Sequence, residues 1–383
     1  MDLDNLLKAY GKFVAKRAEI VILAILLFTL LCIYGMTQLQ IAAGGYSSYF
    51  PKDEKAIQAM DVVKDEFGGA DSLTIVIEID DENLDDKNAI MDIRDPRVIR
   101  YAESLERACS KLEKVMDVQS VADILRAENN GDLPNSLATT KSILEKSPLA
   151  SQFVSSDYKT MLIRISLADV EGIEEEITEE VQKTIDEHSP PPGIKVGLTG
   201  MPAIIKALMD LVEPDMQRTS RIALIAILII VLLLFRSLKY GLLPLLGVAL
   251  GTLWMNGTLG LLGIKIKPET SGVTSMVLGI GIDFGIQIVN RFRLELEGVF
   301  GEKLGPEEAL TETLARVIKP IGTTTLAALI GLRAMEFGRL TFMKELADMM
   351  SLGIVMCMLS ALTLIPSLLI ITEKMKRRRR SKK

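Results

Sequence analysis

The chain contains few histidines and cysteines, two residue types that enzymes and metal sites often use. It has one histidine, His188, and three cysteines, Cys32, Cys109 and Cys357, among 383 residues. With so few histidines and cysteines, the chain cannot form the clustered Cys/His ligand sets of structural zinc sites. Two of the cysteines lie in apolar segments, which excludes a disulfide framework within one chain. We also find no nucleophile–base pair, so we expect no covalent catalysis, no metal site and no cofactor.

Long apolar segments are what the sequence has in abundance. Hydrophobic residues make up 49% of the chain, and the mean hydropathy is +0.29. These residues gather into six blocks, each long enough for the roughly 20 residues of a bilayer-spanning helix. The blocks are centred on residues 20–34, 222–235, 242–263, 272–290, 317–335 and 346–371. The pattern predicts a polytopic α-helical membrane protein with six transmembrane helices.

The first block is expected to stay in the mature protein as a membrane helix. Its apolar run exceeds the usual core of a signal peptide, and no small-x-small cleavage site follows it directly. The predicted organisation is a cytoplasmic N-terminus at 1–19, a first transmembrane helix at 20–36, an extracytoplasmic domain at 37–220, transmembrane helices two to six at 221–372 and a basic cytoplasmic tail at 373–383.

Basic residues indicate the orientation of the spans, because cytoplasmic flanks carry the excess of Lys and Arg. Such residues are Lys8, Lys12, Lys16, Arg17, Arg236, Lys239, Arg291, Arg293 and those of the tail KMKRRRRSKK. With six helices they all fall on one side, so we expect both termini in the cytoplasm, the large domain outside, and a location in the cell membrane. We interpret the basic tail as a signal that fixes the orientation of the spans, and attraction to anionic inner-leaflet lipids is an added role. Nothing in the charge balance points to a nucleic-acid partner.

The polar region between the first two spans alternates strand and helix patterns. SLTIVIEI, MDVQSVADI, KTMLIRISL and PPGIKVGLTG read as strands, and RVIRYAESLERACSKLEKV and EGIEEEITEEVQKTIDEH as helices. DEKAIQAMDVVKDEF is a further helix, residues 129–151 read as a polar connection, and residues 201–216 read as a helix leading into span two. The order predicts an α+β ferredoxin-like (βαββαβ) domain.

The fourth apolar block carries a carboxyl group near its middle, Asp283. A central Asp costs roughly 2.5–3.5 kcal/mol on insertion, so such groups face the bundle interior and serve function. Helical spacing places Ser275, Gly279, Asp283, Gln287 and Asn290 on one polar or small stripe. This stripe must therefore face protein or a wet cavity.

The fifth block carries hydroxyls that can meet this carboxyl group. Thr323, Thr324 and Thr325 follow Gly322, and we expect this face to meet the Asp283 stripe. The glycines Gly279, Gly281, Gly285 and Gly322 are interpreted as positions where helices pack closely, since GIGIDFG lies inside a span and not in a nucleotide-binding loop.

A buried carboxyl group can alternate between protonated and ionised states as its hydration changes. The same carboxylate could hold a sodium ion together with threonine and backbone oxygens. A third interpretation is a permanently protonated Asp283 that serves only as a contact between helices. The candidate ion-coupling residues are Asp283, Gln287, Asn290, Thr323, Thr324 and Thr325.

Several segments together resemble one known family. LGIGIDFGIQIVNRFRLELE is similar to the fourth transmembrane helix of the resistance-nodulation-division (RND) superfamily, and KPIGTTTLAALIGL to its fifth. FRSLKYGLLPLLGVALG resembles the junction of helices two and three, and YFPKDEKAIQAMDVVKDEFGGADSLTIVIE the start of the outer porter domain. The resemblance is closest to the MMPL and hopanoid-exporter-like branch. It implies export of hydrophobic or amphipathic molecules, driven by proton flow past the fourth-helix acid, which Asp283 matches here.

Two features depart from that pattern. Phe284 stands where many members carry tyrosine, and Gln287 where some carry histidine, which leaves sodium as an alternative to the proton. Typical members also carry two repeats, whereas this chain has one. A site at a repeat interface needs both halves, so the expected partners are a second copy in a two-fold homodimer, membrane lipids and a hydrophobic substrate.

Two other functions fit the same architecture. A protein-translocation accessory of SecD/SecF type also has six helices and an outer domain. A lipid-sensing module of the sterol-sensing type shares the helical core, and it need not move ions.

Overall fold

The computed structural model describes residues 3–41, 51, 53–67, 71–80, 90–168, 170 and 172–381. The helices of the described part are α1 (Leu3–Lys16), α2 (Ala18–Met36), α3 (Lys55–Phe67), α4 (Pro96–Cys109), α5 (Val121–Glu128), α6 (Leu137–Lys146), α7 (Glu174–Glu187), α8 (Met201–Phe235), α9 (Leu238–Leu261), α10 (Val273–Glu297), α11 (Pro306–Arg333) and α12 (Thr341–Ser381). The strands are β1 (Ser72–Ile79), β2 (Val115–Gln119), β3 (Thr160–Leu167) and β4 (Ile194–Gly200). Short 3₁₀ turns cover Pro148–Gln152, Pro268–Thr270 and Ala334–Phe337.

The chain forms two compact units. The first comprises Met1–Ala42, Ser48–Pro51 and Leu211–Lys383, and the second comprises Ala43–Ser47 and Lys52–Asp210. The division near residue 210 falls inside α8, so the helix predicted at 201–216 and the second span are one continuous helix.

In the described part of the chain, six helical segments are long and apolar enough to cross a membrane. They are Ala18–Met36, Met201–Phe235, Tyr240–Leu261, Pro268–Glu297, Pro306–Phe337 and Thr341–Met375. Each overlaps one of the six apolar blocks of the sequence. The protein is therefore a multi-pass membrane protein, as predicted.

In the first unit, α9 packs against α2, α10 and α12. Its contact with α2 is closest at Gly35, Gly257 and Gly260, where a Cβ atom would overlap the facing backbone. Glycine is needed here because any side chain would push the two helices apart. The sequence analysis did not single out these three glycines.

In the second unit, four antiparallel strands form a sheet in the order β2-β3-β1-β4. The register pairs Ile75 of β1 with Ile163 of β3 and Leu198 of β4. Residues of one face are fully buried, because strand side chains alternate between faces. They are Leu73, Ile75, Ile77, Met161, Ile163 and Ile165, and they share a core with apolar residues of α4 and α7.

The segments predicted around this sheet need two corrections. MDVQSVADI forms strand β2 only as far as Gln119, and the helix α5 follows at once because Ser120 and Asp123 make a capping box. The region 129–151, interpreted as a polar connection, contains α6 and the turn Pro148–Gln152, with Ser136 as the N-cap of α6. The N-terminal region 1–19 also contains a helix that was not predicted, α1.

Candidate functional site

The helix α10 carries the predicted acid and buries one of its faces. Its apolar residues pack into the core of the first unit, and the helix ends at Gly298, whose left-handed φ of 76° closes the last turn. Both sequence neighbours of the acid, Ile282 and Phe284, are buried. The stripe opposite to this packed face is open.

Asp283 lies on that open face and is exposed in the single chain. Its carboxylate oxygen Oδ2 accepts a hydrogen bond from Nε2 of Gln287, one helical turn further on, at 2.6 Å. In the described part of the chain, Asp283 makes no ion pair with a basic residue. The pair therefore forms a polar spot on an otherwise apolar helix surface.

The rest of the predicted stripe follows the same face. Gly279 and Asn290 are exposed, whereas Gln287 is half-buried. Towards the start of α10, the hydroxyl of Ser275 donates to Oγ1 of Thr219 on α8 at 3.4 Å. The structure thus brings the α10 residues of the candidate site onto one open face, as their spacing predicted.

The threonine run lies on α11, which packs beside α10. Thr323 and Thr324 are exposed, and their hydroxyls donate to backbone carbonyls of their own helix, at Lys319 and Pro320. Thr325 is buried, and its Oγ1 has no hydrogen-bond partner among the described residues. The structure contains no hydrogen bond between these hydroxyls and Asp283 in the part of the chain it describes.

The four predicted packing glycines fall into two pairs. A Cβ at Gly281 would lie 2.7 Å from Sγ of Cys357, and one at Gly285 would lie 2.7 Å from Cα of Pro244, so both glycines sit at close helix contacts. A Cβ at Gly279 or Gly322 would have no neighbour within 4 Å among the described residues. These two glycines therefore leave open space and pack against none of the described helices.

One contact that the sequence pattern does not reveal lies near the end of α10. The guanidinium of Arg293 donates through Nη1 to the carbonyl of Phe235, the last residue of α8, at 3.3 Å. It also lies 5.2 Å from the ring centre of Tyr240 on α9. Arg293 thus ties the ends of three helices together, although the sequence suggested only a role in orientation.

The comparison with known proteins identifies the kind of protein that carries this site. A putative membrane protein of Methanocaldococcus jannaschii is 32% identical over 377 residues, which are 97% of this chain and 95% of that protein. The siderophore exporter MmpL5 of Mycobacterium tuberculosis is 26% identical over 227 residues, 57% of this chain and 23% of the exporter. The probable transport protein MmpL9 of the same species is 26% identical over 233 residues, 59% and 24% of the two chains.

The matches therefore differ in extent. This chain spans nearly the whole archaeal relative but about a quarter of the two mycobacterial proteins. The sequence profile of the MMPL family matches residues 48–383. With six apolar helices, an acid on the fourth and a match over most of its length, the chain belongs to the MMPL family.

Proposed function

We propose that the protein is an ion-driven exporter of hydrophobic or amphipathic, lipid-like molecules and that it works as a homodimer in the cell membrane. Membership of the MMPL family and the exporter and transport proteins among its relatives support this function. The single observation that carries it is the carboxylate of Asp283, which lies exposed on a membrane-spanning helix with one amide donor from Gln287.

The position of Asp283 favours a homodimer. A carboxylate that faced lipid in the middle of a span would cost roughly 2.5–3.5 kcal/mol. A second copy that covers the open face of α10 would remove this contact with lipid. Gly279 and Gly322, which have free space around them, would let helices of that copy approach closely. The resulting two-fold pair would supply the second half that the larger relatives have within one chain.

The coupling ion acts at Asp283 in this proposal. Binding of a proton or a sodium ion would change the charge of the carboxylate and therefore its contacts with Gln287 and with the facing copy. Asn290, Thr323 and Thr324, which are also exposed, would supply further oxygens, and Thr325 is buried beside the two threonines on α11. An elementary charge that moves across 100 mV supplies about 2.3 kcal/mol, which is enough to shift a two-state equilibrium strongly.

The second unit is the proposed extracytoplasmic porter domain. The strand order β2-β3-β1-β4 with helices after β1 and β3 supports a ferredoxin-like fold. Since α8 continues from the end of β4 into the second span, a change in the membrane helices could reach the porter domain through one stiff element. The basic flanks support a position of this domain outside the cell and of both termini in the cytoplasm.

The experiment that tests the function measures ion flux in proteoliposomes. Asp283→Asn keeps the size of the side chain and removes its charge. We therefore expect this variant to abolish the flux of protons or sodium ions, which a trapped pH or sodium indicator reports, while the protein stays folded. Asp132→Asn, an exposed change in the second unit, is the matched control and should behave as the unchanged protein.

Full flux through Asp283→Asn would remove Asp283 from the mechanism. A folded protein that moves neither ion would favour the lipid-sensing function, and co-purified nascent polypeptide would favour protein translocation.

A further inference from the structure

The N-terminal helix α1 docks on the bundle through one of its faces. Leu7, Val14 and Ala15 are buried, and a Cβ at Gly11 would lie 2.9 Å from Cα of Thr311 on α11. The close approach fixes this face of α1 against α11.

Two ion pairs set the direction of the docked helix. Lys319 pairs with Asp4 at 2.6 Å, and Glu312 pairs with Lys8 at 3.0 Å. Residue numbers rise on α1 as they fall on α11, so the two helices run antiparallel. The other side of α1 is therefore turned away from the bundle.

That outer side carries an apolar ridge. Leu6 is 50% exposed and Phe13 52%, and their spacing of seven residues keeps them on one side of α1. Only Arg17 separates α1 from α2, which is the first membrane span. Because that span begins at Ala18, the ridge of Leu6 and Phe13 lies close to the point where the chain enters the bilayer.

A charged cavity borders the docked helix. It has a volume of about 490 Å³ and is lined by Lys8, Lys12, Ala15, Lys16, Leu304, Glu307, Glu308, Thr311 and Glu312. Its acids already have partners, since Glu312 pairs with Lys8, Glu307 pairs with Lys374 at 3.0 Å, and Glu308 accepts from the backbone N–H of Gly305. In the described part of the chain, Lys12 and Lys16 pair with no acid. Glu308 keeps its negative charge because its partner is a neutral N–H, so with Glu307 matched by Lys374 the two lysines without an acid partner leave a net charge of +1 in the cavity.

We propose that α1 is an interfacial helix that binds an anionic phospholipid of the leaflet on the N-terminal side. The Leu6–Phe13 ridge inserts between the headgroups and the acyl chains, as amphipathic helices do. The ammonium groups of Lys12 and Lys16, one turn apart, hold the lipid phosphate at the mouth of the cavity, and their aliphatic stems lie along the apolar surface. The complementary charge selects an anionic lipid over a zwitterionic one, and the inference is independent of the transport proposal.

A fluorescent label on α1 tests this inference in the full-length protein. Cys32, Cys109 and Cys357 are fully buried, so a thiol-reactive dye will label Ala9→Cys, which is exposed beside the ridge. The protein is placed in vesicles of phosphatidylglycerol and phosphatidylcholine in which only one lipid carries bromine on its acyl chains. We expect brominated phosphatidylglycerol to quench the dye more strongly than brominated phosphatidylcholine at equal mole fraction.

Two sets of variants separate the charged contact from the apolar one. The double variant Lys12→Gln and Lys16→Gln should make quenching by the two lipids equal. The control, Lys111→Gln with Lys183→Gln, changes two exposed lysines of the second unit and should leave the difference between the lipids unchanged. Leu6→Ser with Phe13→Ser should reduce quenching by both lipids.

Three results would overturn the proposal. Equal quenching by both lipids in the unchanged protein would remove the lipid selectivity. Quenching by aqueous iodide but by neither lipid would place α1 outside the bilayer. Self-quenching that grows with protein density in the vesicles would show that a second copy covers the ridge.

Discussion

At the scale of single residues, the glycines of α10 differ in what surrounds them. Gly285 faces the backbone and ring of Pro244 on α9, both below 3.0 Å from a built Cβ, whereas Gly279 faces open space among the described residues. Helical spacing places Gly279 on the polar stripe of Asp283 and Gly285 outside it, yet close packing was predicted for both. The positions of the neighbouring helices show that only Gly285 is packed among the described residues.

Gly285→Ala is expected to destabilise the bundle. The added methyl group meets backbone atoms that cannot rotate away, and overpacking of this kind costs roughly 1–3 kcal/mol. Thermal unfolding of the purified protein in detergent will measure the loss. Gly279→Ala is the matched control, and an equal loss at both positions would contradict the packing described for Gly285.

Asp92 in the second unit is predicted to make stability depend on pH. Burial raises the pKa of its carboxyl group, but hydrogen bonds from Arg94 and Lys141 outweigh burial and hold the pKa of Asp92 well below its usual range. A depressed pKa adds stability above the unfolded value near 4, and that stability is lost as the pH falls through the folded value. Asp92→Asn should therefore destabilise the unit at neutral pH and differ little from the unchanged protein in acid.

Hydrogen exchange of peptides from α4 and α6 measures this difference in the full-length protein. The ratio of rates for the two proteins at each pH cancels the intrinsic pH dependence of exchange. We expect a ratio that falls towards one as the pH drops below about 4. A ratio that stays constant from neutral to acidic pH would show that the ion pair of Asp92 does not stabilise the unit.

At the scale of elements, the start of α5 rests on one hydroxyl group. Ser120 is fully buried, its Oγ accepts from the N–H of Ala122 at 3.0 Å, and its hydroxyl donates to Oε2 of Glu106 at 2.5 Å. Burial raises the pKa of Glu106, while the hydrogen bonds from Ser120 and Arg126 lower it. Ser120 is thus both the N-cap of α5 and a hydrogen-bond donor to the buried carboxyl group of Glu106.

Ser120→Ala is expected to cost more than an ordinary cap. Loss of an N-cap costs about 0.5–2 kcal/mol, and a buried polar group left without its donor adds about 1–3 kcal/mol. Hydrogen exchange of the α5 peptides will measure the change. Ser136→Ala removes the exposed N-cap of α6 and should cost only the cap. Equal effects at the two caps would mean that the contact with Glu106 contributes nothing.

The elements also show how far sequence patterns reach. Six apolar blocks predicted the six long helices because membrane spans must satisfy their backbone groups internally. Strands such as SLTIVIEI were predicted within a residue by their alternation. The helix α6 was missed because a short segment with few apolar residues depends on its cap and on contacts with distant parts of the chain, such as the pair of Lys141 with Asp92. The helix α1 was missed although its apolar residues have helical spacing.

At the scale of the whole molecule, the open face of α10 is the main prediction for assembly. If a second copy covers this face, residues beside Asp283 will lie near their counterparts across a two-fold axis. Asp283 itself could be named from the sequence because an acid in an apolar segment is rare. The residues that Asp283 faces could not be predicted from the sequence, since in the proposed dimer they lie in another chain.

Cysteine cross-linking in membranes tests the dimer. Ile280, one turn before Asp283 on the same side of α10, is 40% exposed, and the native cysteines are fully buried. Ile280→Cys should form a disulfide-linked dimer under mild oxidation. Leu30→Cys on α2 is 63% exposed, should face lipid, and should remain monomeric. Cross-linking at Leu30 and not at Ile280 would place the interface on the other side of the bundle.

The length of α12 has a consequence for the basic segment near its end. The helix covers 41 residues, which at 1.5 Å per residue gives a rod of about 60 Å. A bilayer core is only about 30 Å thick, so a straight helix of this length cannot be contained within it. The backbone of KMKRRRR belongs to this helix, so the segment is a helical continuation of the membrane span Thr341–Met375 and not a separate coil.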